Sequence, residues 1–424
     1  MLTKIRNRLI ALSCFLLFIG IGTAILWNNS LQKPFAIILF MGDGMSPSLL
    51  TATRLYEGGA DYRLALEEFP QSALTRTYGN DFAVPDAASA ATALATGQRV
   101  NHQTLAMLNG KPLPTLIEEA SAKDRAVGII SNGSLTGATA AAFYAKSLNA
   151  QDESGNALQL TDHPFIDLLL GGGRKFFMAP HPEPHNNSAE TASIATETDL
   201  LKKLSSKGTT VLNSMQELAA IPSWKSAPIV GLLADNEFVF HDEGTTDTTQ
   251  PSLADLVRQS IQRLQHCRHG YFLVVDDALI AKAASMNNAE QLFHEISEFD
   301  QAIAVARQYA GPNALIVVTG KQNLGGMRMN GSPFRNDKGV AVLGINAQGV
   351  PSITWSTGPG HNVSSIADGT KETTSILAEP TAFSKPAALG VVEDTVTMAM
   401  GPGSEQVHGF IDLTTIHDLI KKQL

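Results

Sequence analysis

The sequence has few cysteines and no block of charge of one sign. Two cysteines occur among the 424 residues, and they lie far apart, Cys14 in an apolar segment and Cys267 alone in the rest of the chain. A disulfide within the main body is therefore excluded, and cysteine usage says nothing about the compartment. The net charge of −9 argues against a nucleic-acid partner, because a phosphate backbone favours basic surfaces.

The amino terminus pairs a short basic segment with a long uncharged one. Residues 1–8 carry three basic side chains, and residues 9–27 carry no charge. At about 1.5 Å per residue, a helix over 9–27 is long enough to cross the apolar core of a bilayer. We interpret 9–27 as a transmembrane signal anchor, with a cleaved signal peptide as the alternative, and 28–34 as a linker. The basic flank predicts a cytoplasmic 1–8 and an extracytoplasmic body, in the periplasm or at the cell exterior.

Four apolar segments in the body of the chain each end in polar or glycine residues: FAIILFM before GDGM, AVGII before SNGS, YFLVV before DDAL, and ALIVV before TGKQN. Continuous apolar strands predict a sheet that is buried on both faces. Helical patterns over 251–265 and 289–309 lie between them. The alternation predicts an α/β fold, a three-layer sandwich with a large, mostly parallel central sheet, over residues 35–424.

Binding sites in such folds lie at the carboxyl ends of the strands. This rule nominates seven residues that follow or end the apolar segments: Asp43, Ser131, Asn132, Asp276, Asp277, Lys321 and Gln322. A further segment, VPDAASAATALATG (84–97), predicts a helix whose free backbone N–H groups at the start suit a phosphate.

Nine segments, in the same order along the chain, resemble the alkaline phosphatase family. They are ILFMGDGMSPSLLTATR, VPDAASAATALATG, GATAAAFYAKS, LLLGGGRKFF, PSLADLVRQSIQRL, YFLVVDDALIAKAASMNNAE, VVTGKQNLGG, WSTGPGH and GPGSEQVHGFIDLTTIHDLI. The resemblance covers nearly the whole of 35–424 and implies the α/β sandwich already read from the strands. It also implies phosphate monoester hydrolysis by a serine at a helix start, with two zinc ions, a magnesium ion and a homodimer. Two metal ions would stabilise the attacking and leaving oxygens of an in-line displacement.

The nucleophile position of the family is Ala87 in this chain, so the resemblance predicts no catalytic serine there. We interpret Ser89 as a small helix residue, since two residues along a helix rotate a side chain by about 200°. The position of the phosphate-binding arginine corresponds to Ala150, and Lys146 stands where the family often has a histidine.

The two zinc sites implied by the resemblance have lost most of their ligands. At the first site, Ala281 and Ser285 replace an aspartate and a histidine, and His361 remains as a remnant ligand. At the second, Lys321 and Gln322 replace an Asp-His pair. Since a zinc site needs three or four good ligands, zinc is not expected.

The magnesium site of the family corresponds to Asp43, Thr139 and Asp276, all with oxygen ligands of the kind that a hard cation prefers. Magnesium is therefore a possible cofactor, although Gly137 replaces an acidic or histidine residue near it. The alternative is that these side chains only satisfy the ends of strands and helices.

We predict a membrane-anchored pseudoenzyme that retains binding of phosphate, another anion or a protein. Lys321 is the candidate anion-binding residue, and its alternative is a pairing with Asp43 or Asp276 that neutralises a former metal pocket. A working hydrolase with a magnesium-type ion and water as nucleophile is the rival interpretation. A protein that pairs with itself or with an active relative is the third.

Overall fold

The structure is a computed structural model that describes residues 2–31, 35–162, 165–178, 200–225, 227–240, 250–344, 350–360 and 379–424. Its strands are β1 (Ala36–Gly42), β2 (Gln71–Arg76), β3 (Met107–Leu108), β4 (Lys111–Pro112), β5 (Ala126–Ser134), β6 (Leu168–Gly172), β7 (Thr210–Leu212), β8 (Ile229–Leu232), β9 (Tyr271–Asp277), β10 (Ala314–Gly320), β11 (Asn323–Leu324), β12 (Arg328–Met329), β13 (Ile353–Gly358), β14 (Thr381–Ser384), β15 (Gly390–Val391), β16 (Thr395–Met400) and β17 (His408–Asp412).

The α-helices in the same ranges are α1 (Leu2–Leu31), α2 (Pro47–Gly58), α3 (Ala87–Thr96), α4 (Leu116–Ser121), α5 (Ala138–Ala141), α6 (Glu153–Leu160), α7 (Lys175–Met178), α8 (Leu200–Ser206), α9 (Met215–Ala220), α10 (Leu253–Leu264), α11 (Ala278–Ser285), α12 (Ala289–Ala310) and α13 (Leu413–Gln423).

Ten strands form the central sheet, in the order β17-β2-β16-β10-β1-β9-β5-β6-β8-β7. The seven strands from β10 to β7 are parallel to one another, whereas β16 is antiparallel to both of its neighbours. The predicted α/β sandwich with a large, mostly parallel sheet is thereby confirmed. Smaller sheets pair β11 with β15 and β3 with β4, and a three-stranded sheet places β13 between β12 and β14.

The central strands are buried because apolar side chains alternate between two hydrophobic layers. In β1, Ile38 and Phe40 belong to the layer that includes residues of α10 and α12. Ile37 and Leu39 belong to the opposite layer, with residues of α3 and α13. All seven residues of β1 are buried. This two-sided burial explains the continuous apolar strands of the sequence.

Helix α1 contains an apolar stretch, Lys4–Thr23, that is long enough to cross a membrane and is not buried by the rest of the chain. A signal anchor and a signal peptide both have this character. The helix continues to Leu31, into the segment 28–34 that the sequence predicts as a linker. The assignment of 9–27 as an anchor stays a prediction.

Candidate functional site

Three neighbouring strands bring their carboxyl ends together at the centre of the sheet. Strand β1 lies between β10 and β9, and Gly42 pairs with Gly320 on one side and with Asp277 on the other. Asp43 and Lys321 directly follow β1 and β10. The sheet order and register therefore place the ends of three of the predicted segments side by side.

The ammonium group of Lys321 bridges two carboxylates at this point. Its Nζ lies 2.9 Å from Oδ1 of Asp43 and 3.4 Å from Oδ1 of Asp276. Lys321 and Asp43 are each 1% exposed, and Asp276 is 3% exposed. Of the two roles considered for Lys321, the pairing with carboxylates is the one for which the structure provides contacts; binding of an external anion stays a prediction.

The second oxygen of each carboxylate accepts a hydrogen bond from a neighbouring side chain. Gln322 Nε2 donates to Asp43 Oδ2 at 2.9 Å, and Ser131 Oγ donates to Asp276 Oδ2 at 2.9 Å. Ser131 Oγ also accepts the backbone N–H of Gly133. Five of the seven residues nominated by the strand-end rule thus form one buried network.

Electrostatics favour a charged Lys321 in this network. Burial alone would lower the pKa of the Lys321 ammonium, but the Asp43 and Asp276 carboxylates outweigh burial and raise that pKa above its usual value. Burial raises the pKa of the Asp276 carboxyl, and the Lys321 ammonium acts in the opposite direction. With both carboxylates ionised, the three residues together carry one net negative charge.

The two remaining nominated residues, Asn132 and Asp277, cap α11. Asn132 Nδ2 donates to Asp277 Oδ1 at 2.7 Å, and Asn132 Oδ1 accepts the N–H of Ala278. Asp277 Oδ1 also accepts the N–H groups of Leu279 and Ile280. Burial raises the pKa of Asp277 to about 7, against the hydrogen bond from Asn132. These contacts give both residues a structural role at the start of α11.

The start of α3 is closed by a capping box. Asp86 Oδ1 accepts the N–H of Ser89 at 2.8 Å, and Ser89 Oγ accepts the N–H of Asp86 at 3.2 Å. The other Asp86 oxygen accepts the N–H of Gln103. Ala87 is the first residue of the helix. The predicted helix start is present, and the hydroxyl of Ser89 is engaged in the cap.

The residues predicted for a magnesium-type site do not converge on an open position. Asp43 and Asp276 share the Lys321 ammonium, and Thr139 on α5 forms no hydrogen bond with either carboxylate in the described ranges. Within those ranges there is also no group of three or more His, Cys, Asp or Glu residues that could hold a metal ion. An ion between Asp43 and Asp276 would have to displace Lys321, and the magnesium-type site stays a prediction.

The remaining positions that correspond to metal-binding or phosphate-binding residues of the family are occupied by residues with a local structural role. Ser285 Oγ donates to the carbonyl of Lys282 within α11, one turn after Ala281. Lys146 Nζ lies 3.0 Å from Glu118 Oε2. Ala150 is buried, and Gly137 is the N-cap of α5. His361 lies outside the described residues, so its predicted role as a remnant zinc ligand is neither supported nor opposed.

Sequence reasoning missed one buried carboxyl next to this site. Glu295 on α12 is 3% exposed and accepts a hydrogen bond from Gln291 Nε2 at 2.7 Å. Burial and the nearby Asp277 raise the pKa of Glu295 to about 8. The sequence does contain a signal for its burial. Glu295 lies three residues after Leu292 and four before Phe299, and residues at this spacing share a helix face.

An α/β sandwich with polar side chains at the carboxyl ends of its central strands belongs to a class that binds ligands at that edge. A family model described as alkaline phosphatase matches residues 36–424. The chain belongs to the alkaline phosphatase family. Members of this family bind metals, and membership suggests a phosphate substrate or an anionic ligand.

Named relatives and solved structures agree with this assignment. The chain is 28% identical to the tissue-nonspecific alkaline phosphatase of Gallus gallus, over 88% of this chain and 81% of the relative. For the same isozyme of Homo sapiens the identity is 26%, over 88% and 80%.

Among solved structures, alkaline phosphatase from the Antarctic bacterium TAB5 aligns with a TM-score of 0.71 at 22% identity, over 93% of this chain and 98% of that one. A mutant of the TAB5 enzyme with Mg bound in its M3 site has a TM-score of 0.70, with the same identity and coverage. At this identity the solved structures establish the fold alone.

Proposed function

We propose that this chain is an exported, membrane-anchored member of the alkaline phosphatase family that does not hydrolyse phosphate monoesters at the family's site. The observation that carries the proposal is the buried contact of Lys321 with Asp43 and Asp276. Hydrolysis needs an attacking group and positive charge at the oxygens that gain negative charge. Ala87 has no group that can attack, and the charge of Lys321 is already neutralised.

The amino-terminal helix supports the export and anchoring in this proposal. Its apolar stretch, Lys4–Thr23, is exposed along its length, and basic residues precede the uncharged segment. A helix of this kind is costly in water and stable in a bilayer. A homodimer stays a prediction from the resemblance.

A hydrolysis assay tests the inactivity. We expect the purified full-length chain to release no more nitrophenol from nitrophenyl phosphate than its Asp43→Asn variant, with Zn, Mg, Mn or Ca added in turn. An active member of the family, assayed in parallel, serves as the positive control. Turnover that is lost in Asp43→Asn would overturn the proposal in favour of the second candidate, a magnesium-type hydrolase, which family membership favours.

A phosphate titration separates the two roles of Lys321. An external phosphate at Lys321 would meet a group with one net negative charge and would have to compete with carboxylates already 2.9 and 3.4 Å away. We therefore expect calorimetric titrations of phosphate into the wild-type protein and into Lys321→Ala to give the same small heats. Saturable binding that Lys321→Ala abolishes would instead establish an anion site.

A further inference from the structure

The edge of the sheet where the parallel strands begin lies opposite the candidate site. We use the name strand-start edge for one part of it, which comprises Phe35, Lys123–Arg125, Ser223–Lys225, Arg263–His269 and Lys421–Leu424. The first three segments precede β1, β5 and β8, and Arg263–His269 joins α10 to β9. Arg125 Nη2 donates to the carbonyl of Gln423, which brings the end of the chain to the same edge.

The length of chain between the apolar stretch and β1 limits how far this edge can lie from a membrane. The apolar stretch ends at Thr23 and the helix at Leu31, so the helical part adds about 12 Å. The next four residues add at most about 14 Å even when fully extended. A body of this length is about 55 Å across. A tether of about 26 Å is less than half of this width, so it keeps the strand-start edge, where β1 begins, within reach of the membrane surface.

The strand-start edge is basic although the chain as a whole is acidic. Lys123, Lys225 and Arg268 are exposed on it, and the net charge of the chain is −9. Asp124 is also exposed on this edge, between Lys123 and Arg125, whereas the neighbouring Asp167 is engaged by the backbone, since its Oδ2 accepts the N–H of Val127 at 2.8 Å. Basic side chains near a lipid surface are attracted to the phosphates of the headgroups.

A cleft on this edge combines basic and aromatic side chains. It has a volume of about 440 Å³, and its lining includes Arg125, Trp224, Lys225, Arg263 and His266, together with Asp124 and Asp167. Trp224 is 71% exposed at its rim. An exposed tryptophan beside basic residues is typical of the interface between a membrane and water.

We propose that the strand-start edge rests on the lipid headgroups of the membrane that holds the anchor, with anionic phosphate groups against Lys123, Lys225 and Arg268. Trp224 enters the interfacial layer beside them. The edge with Lys321 then faces away from the membrane. The proposal rests on the export and anchoring proposed above, and not on the state of the Lys321 site.

Hydrogen–deuterium exchange on the full-length chain in lipid nanodiscs tests the proposal. One nanodisc preparation contains phosphatidylcholine alone and the other adds phosphatidylglycerol. We expect backbone amides of 223–225 and 263–269 to exchange more slowly in the anionic nanodiscs, and the difference to shrink as salt is added. Amides of 79–83, on the opposite side of the sheet, should exchange equally in both.

A charge-reversal variant supplies the decisive comparison. Lys123→Glu/Lys225→Glu/Arg268→Glu should lose the protection that phosphatidylglycerol adds. The matched control reverses the charge of three exposed lysines elsewhere, Lys111, Lys338 and Lys385, by substitution with glutamate. It should retain the protection that phosphatidylglycerol adds.

Resistance of each protein to carbonate extraction reports the anchor separately. Two results would overturn the proposed contact with the headgroups. One is equal exchange of 223–225 and 263–269 in the two nanodisc preparations, and the other is an equal loss of protection in the charge-reversal variant and in its control. Extraction of the wild-type chain by carbonate would overturn the proposed anchoring instead.

Discussion

At the scale of single residues, the molecule is defined by an ammonium group where three strand ends meet. Lys321, Asp43 and Asp276 are almost completely buried, and moving ions out of water is costly unless each finds a partner. Each charge here has one, and Gln322 and Ser131 supply further hydrogen bonds. The lysine acts as an internal counterion for two carboxylates that would otherwise repel each other.

We expect Lys321→Met to destabilise the protein by about 3–5 kcal/mol, because it leaves two carboxylates buried without a counterion. Urea denaturation followed by circular dichroism measures the change in the free energy of unfolding. Lys421→Met serves as a control, since Lys421 pairs with Glu119 at the surface, and the loss there should be at most about 1 kcal/mol.

The double variant Lys321→Met/Asp43→Asn identifies the charge as the cause. It removes the ammonium together with one carboxylate, so it should be more stable than Lys321→Met alone. Costs that simply add in the double variant would contradict a direct interaction between the two residues.

At the scale of elements, α12 carries an ionisable group on its buried face. Glu295 lies among Leu292, Ile296 and Phe299 on that face, and Gln291 one turn earlier bonds to it. Burial and the proximity of Asp277 raise the pKa of Glu295 to about 8. The folded protein therefore keeps a proton at neutral pH that the unfolded chain releases.

This difference predicts that stability falls as pH rises. Between about pH 4.5 and pH 8 the unfolded chain binds fewer protons than the folded chain, so Glu295 lowers the free energy of unfolding by about 1.4 kcal/mol per pH unit. Glu295→Gln should remove this contribution, which makes the fall in stability over the window less steep and raises stability at its alkaline end, while the raised pKa of Asp277 still contributes a fall. Urea midpoints measured across the window test the slope, and Glu405→Gln, at an exposed glutamate, should leave it unchanged.

The elements were predictable from the sequence to a large extent, and the contacts between them less so. The strand predicted at FAIILFM corresponds to β1, and the helix predicted over 289–309 corresponds to α12, with bounds that agree within one or two residues. Both predictions succeed because apolar runs and helical periodicity are local signals. The sequence leaves the role of Lys321 open between binding an external anion and pairing with a carboxylate. That choice depends on β1 lying between β9 and β10, a long-range feature that no local pattern encodes.

At the scale of the whole molecule, two hydrophobic layers hold the central sheet from both faces. Each layer draws residues from helices far apart in the chain, and burial of this kind is the dominant favourable contribution to folding. The candidate site lies at the carboxyl ends of the central strands, and its two carboxylates have the Lys321 ammonium as their counterion. The fold of this chain should therefore not depend on a bound metal ion.

We accordingly expect EDTA to leave the thermal unfolding midpoint of the wild-type protein unchanged, as measured by differential scanning calorimetry. A metal ion bound only by the folded state would stabilise it by about 4 kcal/mol at a thousandfold excess over its dissociation constant, which is easily detected. Lys321→Asp/Gln322→His is the matched comparison, because it restores the Asp-His pair implied by the family resemblance beside Asp43. That variant should gain several degrees with added zinc and lose them with EDTA. A wild-type midpoint that drops in EDTA and recovers with zinc would mean that a metal ion, and not Lys321, balances the carboxylates.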